Sequence, residues 1–349
     1  MPELRDQGNI LGGALLQVVK HCNYSCSHCS QDAPLFHYSA GDTFPSVGYL
    51  INTVQKLYSV GHRRVRFTGG EPFLHLGLRE VVSAAVDLSM EVSFVTNGSN
   101  IRKEDLFWLA KLGPFELWVS FYGYPTEVHD LTCRRSGAFV RASTTVRNLV
   151  AAGQKVGCYY PSNRSTLDGC GAFIVVLADL GVSRIKIMQL FDQGRASDRY
   201  EASVASLGEL GALLSELKKA VQRNPSLDLQ MSLRSGQRSL FESHGITIQD
   251  DVGCHAGLDK LWSVDADGYV YPCCLFMNSG RGQNLNIRDE QIHMARRQHD
   301  HSDFALTVDK RYVRGQPPQV ITCPAIEHPD DFIEGEFVCP LTFVHIVCS

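Results

Sequence analysis

Through its first two-thirds the chain alternates short β-branched runs with longer amphipathic stretches, and this alternation limits the fold more than any other feature. The runs at 15–20, 64–67, 92–96, 117–121, 155–159 and 184–189 read as strands. Helical periodicity fills the spaces between them, near 46–58, 76–88, 103–112, 139–152 and 167–180, and again at 207–221. Such spacing predicts consecutive βαβ units and an α/β fold with a mostly parallel sheet. Six units are too few for a closed eight-stranded barrel, so a curved open barrel and a doubly wound sheet both fit the pattern. After about Asn224 the periodicity weakens and Gly, Pro and Cys rise. A hairpin is expected at 261–271 around Asp267-Gly268. The polar stretch 284–318 reads as a helix plus a loop, and the chain divides into residues 1–224 and 225–349.

With 349 residues and 44% hydrophobic side chains, the chain can bury one large core or two unequal ones. A formal net charge of -4 removes the usual electrostatic reason to expect a nucleic acid or an anionic membrane as partner. The greasiest stretch, 172–180, is too short to span a bilayer and carries Asp179. The opening MPELRDQGN lacks a secretory pattern, so a cytoplasmic protein is expected. Twelve cysteines in a reducing compartment argue for metal binding or catalysis over a disulfide framework. Cys133, Cys158 and Cys170 are scattered enough to be plain buried thiols; the others are clustered.

The first cluster, HCNYSCSHC, places Cys22, Cys26 and Cys29 on the loop after the first strand. Structural zinc prefers four protein ligands, which here would require His28 as the fourth. An iron–sulfur cubane held by three thiolates instead leaves one iron open for a ligand. The spacing Cys22-x3-Cys26-x2-Cys29 resembles the signature of the radical S-adenosylmethionine (SAM) superfamily. That resemblance implies a [4Fe-4S] cluster whose open iron binds SAM and whose electron splits it into methionine and a 5′-deoxyadenosyl radical. His28 stands where the family often has an aromatic residue that faces the cofactor.

Further motifs follow in the family's order. Phe67-Thr68-Gly69-Gly70-Glu71-Pro72 has two glycines that permit close backbone approach, and it resembles the Gly-Gly-Glu motif. The resemblance gives Gly69, Gly70 and Glu71 the SAM amino group, a sensible pairing of carboxylate with ammonium. Asn97 in Thr96-Asn97-Gly98 would line the cofactor pocket, Ser120 would contact the ribose, and Arg134 would pair with the SAM carboxylate. Many relatives carry an acidic residue where this chain has Tyr122. Gly194-Arg195-Ala196 resembles a tripeptide of relatives that have C-terminal cluster domains. The resemblance favours the family's open six-unit barrel.

Downstream, Cys254 and Cys273 flank the expected hairpin, which would bring their thiols to one end. This half resembles the SPASM and twitch auxiliary-cluster domains. By that resemblance a second, auxiliary [4Fe-4S] cluster would be held by Cys254, Cys273, Cys323 and Cys339. A zinc site on the same thiols is the plain alternative. Cys274, Cys348 and Cys158 are then candidate hydrogen donors to a substrate radical.

The resulting expectation is a radical SAM oxidoreductase or epimerase served by an electron donor such as flavodoxin or ferredoxin. Because few residues precede Cys22, a sugar-like small molecule (an aminoglycoside, aminocyclitol or nucleoside-sugar) is expected as substrate in natural-product biosynthesis. The alternative is a maturase that epimerises or cross-links a ribosomally made peptide. A zinc or electron-carrier module is the non-enzyme alternative.

Overall fold

The computed structural model describes residues 13–37, 44–113, 115–234, 236–248, 261–271, 273–277, 285–289 and 343–346. Six strands expected from the pattern are present: β1 (Gly13–Gln17), β2 (Arg64–Thr68), β3 (Glu91–Thr96), β4 (Glu116–Ser120), β5 (Val156–Ser162) and β6 (Arg184–Gln189). They are joined by β7 (Asp228–Ser232), β8 (Leu261–Val264), β9 (Tyr269–Tyr271), β10 (Leu285–Asn286) and β11 (Phe343–His345). All eleven form one sheet in the order β10-β9-β8-β1-β2-β3-β4-β5-β6-β7-β11. Pairing is parallel from β8 through β1 to β7, and antiparallel at β8–β9, β9–β10 and β7–β11.

Strand alternation separates two faces. Val65, Phe67, Val92, Phe94, Leu117, Val119, Cys158, Tyr160, Ile185, Ile187, Leu229 and Met231 belong to the main hydrophobic core, packed with residues of the covering helices. The helices Val47–Ser59 and Leu207–Arg223 bury Leu50, Val54 and Leu57, and Leu210, Leu214 and Leu217, in that same core. Each starts where a serine, Ser46 or Ser206, accepts from a first-turn N–H, the usual way to satisfy an orphan donor. Phe94 is ringed by Phe67, Phe73, Trp108 and Phe115, and truncating it to Ala would cost roughly 3–5 kcal/mol.

The other face is polar and aromatic. Arg66 Nη1 donates to Tyr159 Oη at 2.9 Å and its Nε to Ser93 Oγ at 3.1 Å. Arg184 bridges Asp228 at 2.8 Å and Glu116 at 3.2 Å. The Trp118 indole stacks on Tyr159 at 4.7 Å between ring centroids. Gly157 makes that possible, because a Cβ there would lie 2.6 Å from the indole. A doubly wound sheet would bury apolar residues on both faces; a curved open barrel with a polar lumen accounts for this one.

Three segments differ from expectation. The helix read at 167–180 breaks at Asp168-Gly169, where Gly169 has φ 76°, into Arg164–Leu167 and Cys170–Asp179. Helix Thr126–Cys133 and strand β7 were absent from the sequence reading. Of the stretch 284–318, the described part is β10 and the turn after it rather than helix. The hairpin stands as expected: Asp265 Oδ1 accepts from Asp267 N and Tyr269 N, each at 2.9 Å. Its turn reaches back to the end of β1, where Lys20 pairs with Asp267 and Gln17 accepts from Ala266 N.

Candidate active site

The loop after β1 and the ends of β2, β3 and β4 converge on the cysteine triplet. Cys22 and Cys26 are buried and Cys29 is half-buried, in a satellite cluster with Tyr24, Ala33, Tyr122, Cys133 and Ala138. The loop is pinned by paired bonds, Cys22 N to Pro34 O at 2.9 Å and Phe36 N to Cys22 O at 2.8 Å. Ser27 N donates to Thr132 O at 3.0 Å, joining the loop to the C-terminal end of helix Thr126–Cys133.

Gly69 and Gly70 serve that loop directly. Gly70 N donates to Val19 O and Glu71 N to His21 O, at 2.9 and 3.0 Å. A Cβ on Gly69 or Gly70 would collide with the carbonyls of Val19 or His21 respectively. The close approach inferred from the glycines is thus made to the chain's own cysteine loop.

Glu71 is completely buried. Its Oε1 accepts from Thr96 Oγ1 at 2.7 Å and Phe73 N at 3.1 Å, and its Oε2 from Asn97 N at 2.8 Å. Burial raises its pKa to about 7, opposed by those three donors. Asn97 continues toward the cysteines, donating through Nδ2 to Asn23 Oδ1 at 2.9 Å and to Cys22 Sγ at 3.7 Å. Ser120 ends β4, two residues before the buried Tyr122.

His28 packs its ring edge-on against Tyr122, 4.5 Å between centroids. Burial, with the charges of His129 and Arg195, lowers its pKa to about 4, so it is neutral near neutrality. Arg134 is exposed and closes its helix in the left-handed region, φ 52°. A different arginine reaches inward: Arg141 Nε donates to Tyr24 Oη at 3.3 Å. Of the candidate hydrogen donors, Cys158 is on the helix-covered side of the sheet, with Cys170 and the Phe121 backbone as neighbours. Cys274 instead neighbours Arg66 and Tyr159 of the lumen. Cys254, Cys323, Cys339 and Cys348 lie outside the described residues.

Sequence reasoning gave no role to Cys133 or Tyr122 and only a motif likeness to Arg195. In the structure Arg195 is a strap. Its N donates to Cys29 O at 3.1 Å, its Nε to Cys26 O at 2.9 Å, and its Nη1 to Ala33 O and Asp32 Oδ1 at 2.9 and 2.8 Å. Gly194 lets the strap lie close, since a Cβ there would meet Cys29 O. The neighbouring Gln193 donates to Leu275 O at 2.5 Å, so one segment touches both cysteine regions.

The donor set can be tested against the implied cluster. Among the described residues no three His, Cys, Asp or Glu side chains gather closely enough for a single metal ion. The ligand sulfurs of a cubane stand farther apart than those around one tetrahedral ion. Three cysteines in a shared buried pocket, with His28 packed on Tyr122, fit the cubane better than zinc. No helix among the described residues is long and apolar enough to cross a membrane.

Comparison with known proteins agrees. Residues 16–162 match the Radical SAM superfamily. The chain is 27% identical over 271 residues to the sporulation killing factor maturation protein SkfB of Bacillus subtilis, covering 74% of this chain and 59% of that one. It is 25% identical over 288 residues to an AdoMet-dependent heme synthase of Oleidesulfovibrio alaskensis, covering 79% and 72%. The solved structure of Streptococcus suis SuiB bound to its precursor peptide SuiA superposes with a TM-score of 0.65 at 13% identity, over 81% of this chain and 64% of SuiB. The chain therefore spans less than two thirds of the length of SkfB and of SuiB. With the cysteine loop, the buried glutamate and the open barrel in one place, residues 16–162 form a Radical SAM domain, of a superfamily whose members use a [4Fe-4S] cluster and SAM.

Proposed function

We propose that this chain modifies a ribosomally made peptide by radical SAM chemistry. The observation that carries this reading is the likeness to SkfB, a maturation protein, across 74% of the chain. It replaces the small sugar-like substrate expected from the few residues before Cys22. Among the described residues the sheet is open, with β10 and β11 as its outermost strands, a shape that suits entry of an extended chain.

In this reading Cys22, Cys26 and Cys29 hold the cluster and leave one iron for SAM. The reduced cluster, when bound, supplies the electron that splits SAM into methionine and a 5′-deoxyadenosyl radical. Glu71 Oε2 accepts from Asn97 N and keeps a lone pair for the SAM ammonium. Gly69 and Gly70 hold Glu71 against the cysteine loop, Asn97 spans Glu71 and Cys22, and Ser120 faces the ribose. Arg141 takes the carboxylate role first given to Arg134, because it is the one anchored inside the site. Cys273 and Cys254 begin the auxiliary site. Cys274, beside Tyr159 and Arg66, would give its thiol hydrogen atom to the face of the substrate radical opposite the one that lost hydrogen, an epimerisation; the Cys274 thiyl radical left behind is returned to the thiol by one electron from the external reductant and a proton from solvent.

The test uses reconstituted protein, SAM, dithionite and a short peptide encoded beside the gene, in heavy water. A gain of one mass unit, lost in Cys274→Ala, supports epimerisation. A loss of two mass units means oxidation or cross-linking and removes the Cys274 role. Unchanged peptide alongside a modified tetrapyrrole or sugar would overturn the peptide reading.

A further inference from the structure

Beside the cysteine triplet, Asn23, Asn97 and Ser99 close a ring of hydrogen bonds. Asn97 Nδ2 donates to Asn23 Oδ1 at 2.9 Å, Asn23 Nδ2 to Ser99 Oγ at 2.8 Å, and Ser99 Oγ to Asn97 Oδ1 at 2.6 Å. The backbone fixes the direction of the ring. Ser99 N also donates to Asn97 Oδ1, at 2.9 Å, so that atom must be the carboxamide oxygen. The carboxamide nitrogen is then the end that meets Asn23 and lies 3.7 Å from Cys22 Sγ, a sulfur that also accepts from Tyr24 N at 3.4 Å. Each donor points to the next acceptor, an order in which hydrogen bonds reinforce one another.

The ring joins two pieces of chain. Asn23 is on the cysteine loop, whereas Asn97 and Ser99 flank Gly98 just past β3. Gly98, at φ 73°, makes the turn that brings Ser99 back to the Asn97 side chain. Thr145 Oγ1 donates to Gly98 O at 2.7 Å and anchors that turn to helix Ala138–Ala151. Asn97 is buried, while Asn23 and Ser99 are half-buried. The Asn97 backbone N–H goes to Glu71 Oε2 at 2.8 Å. One residue is therefore tied at its backbone to the carboxylate and at its side chain to the cysteine loop.

We propose that Asn23 and Ser99 are positioning residues for SAM. They act through Asn97, whose locked carboxamide sets the Glu71 carboxylate relative to the Cys22 sulfur. SAM has to meet the carboxylate and the cluster at once, so an error in their spacing weakens its hold without dislodging the cluster. Asn23 and Ser99 need not touch SAM for this; the ring transmits their effect as a unit. The inference rests on Cys22 being a ligand and Glu71 the ammonium partner, as set out under the proposed function.

The experiment uses full-length protein reconstituted anaerobically with iron and sulfide, with iron counted in each variant. SAM binding is measured by calorimetry and by the change that SAM makes in the EPR signal of the reduced cluster. Asn23→Ala and Ser99→Ala are expected to keep wild-type iron and to bind SAM roughly threefold to tenfold more weakly, the loss of one hydrogen bond. Ser99→Thr, which keeps the hydroxyl, should bind as wild type. Because the ring acts as a unit, the double variant should be no weaker than the weaker single one. Additive losses would mean that each residue touches SAM by itself, and would overturn the proposal. So would wild-type affinity in both single variants at full iron content, or iron lost from Ser99→Ala, which is off the cysteine loop. If Asn23→Ala loses iron, the two Ser99 variants decide. Two controls separate the underlying reading. Wild-type SAM affinity in Glu71→Gln means that Glu71 is not the ammonium partner, and a SAM-responsive signal that survives Cys22→Ala means that Cys22 is not a ligand.

Discussion

The backbone N–H of Asn97 donates to Glu71 Oε2 at 2.8 Å, a single bond that ties the end of β3 to the segment after β2. With Thr96 Oγ1 and Phe73 N on the other oxygen, Glu71 needs both of its oxygens as acceptors. Glu71→Gln turns one acceptor into a donor and leaves a buried N–H or hydroxyl facing it. The expected cost is about 1–3 kcal/mol of stability, read as a lowered melting temperature. SAM should also bind at least roughly tenfold more weakly by calorimetry, since the ammonium loses its carboxylate.

The raised Glu71 pKa makes SAM affinity depend on pH. Burial holds the group near 7, so part of the population is protonated at neutral pH. An ammonium binds only the carboxylate, so affinity should increase as pH rises through about 7 and level off above it. The same shift means that folding loses stability from this group as pH rises from 4.5 to about 7, because the native state holds the proton more tightly. Equal SAM affinity at pH 6 and pH 8 would count against Glu71 as the ammonium partner.

His129 has the opposite pH signature. Burial, opposed by the Asp130 charge and helped by a smaller effect of Arg141, lowers its pKa from 6.5 to about 4. The unfolded chain takes up the proton first as pH falls, so the contribution is whole above 6.5 and lost by about 4. About 3 kcal/mol follows from a shift of that size. His129→Asn keeps an acceptor for Tyr122 N–H and should flatten the melting-temperature profile across that window. A profile as steep as wild type would mean that other groups carry the acid sensitivity.

Gly70 and Gly48 form a matched pair of substitutions. A Cβ at Gly70 meets the His21 carbonyl, whereas one at Gly48, on helix Val47–Ser59, meets nothing within 4 Å. Gly70→Ala should spoil the cysteine loop and yield protein with little iron after reconstitution. Gly48→Ala should leave iron content intact and add up to about 1 kcal/mol of stability, the helix preference of Ala over Gly. Equal iron content in the two variants would show that the loop tolerates the displacement.

Much of this arrangement is legible in the sequence because β1 to β6 alternate apolar and polar residues around turn signals. Strand β7 escaped notice since Asp228 and Gln230 face the lumen, leaving few apolar residues to mark it. Helix Thr126–Cys133 is short and rich in Thr, His and Asp, which weakens any helical signal. The cysteine triplet was readable because its members are neighbours in sequence. The contact of Cys26 with Cys133, and the hold of Arg195 on the same loop, join residues that are remote along the chain. Local spacing carries no trace of such pairings, and Cys133 looks like any buried thiol until the fold places it. Arg141 was missed for the same reason, since only the helix path shows that it, and not exposed Arg134, faces Tyr24.

The parallel pairing of Leu261–Val264 with Gly13–Leu16 also bears on how the molecule is made. On the ribosome, one flank of the earliest described strand waits for its described partner until nearly the entire remaining barrel has emerged. Its unpaired amides lie beside the nascent cysteine loop during that interval, a stage at which foreign strands can add to the edge. Late arrival of β8 seals that flank, so iron delivered before release would meet a loop whose supporting strand is still half bare.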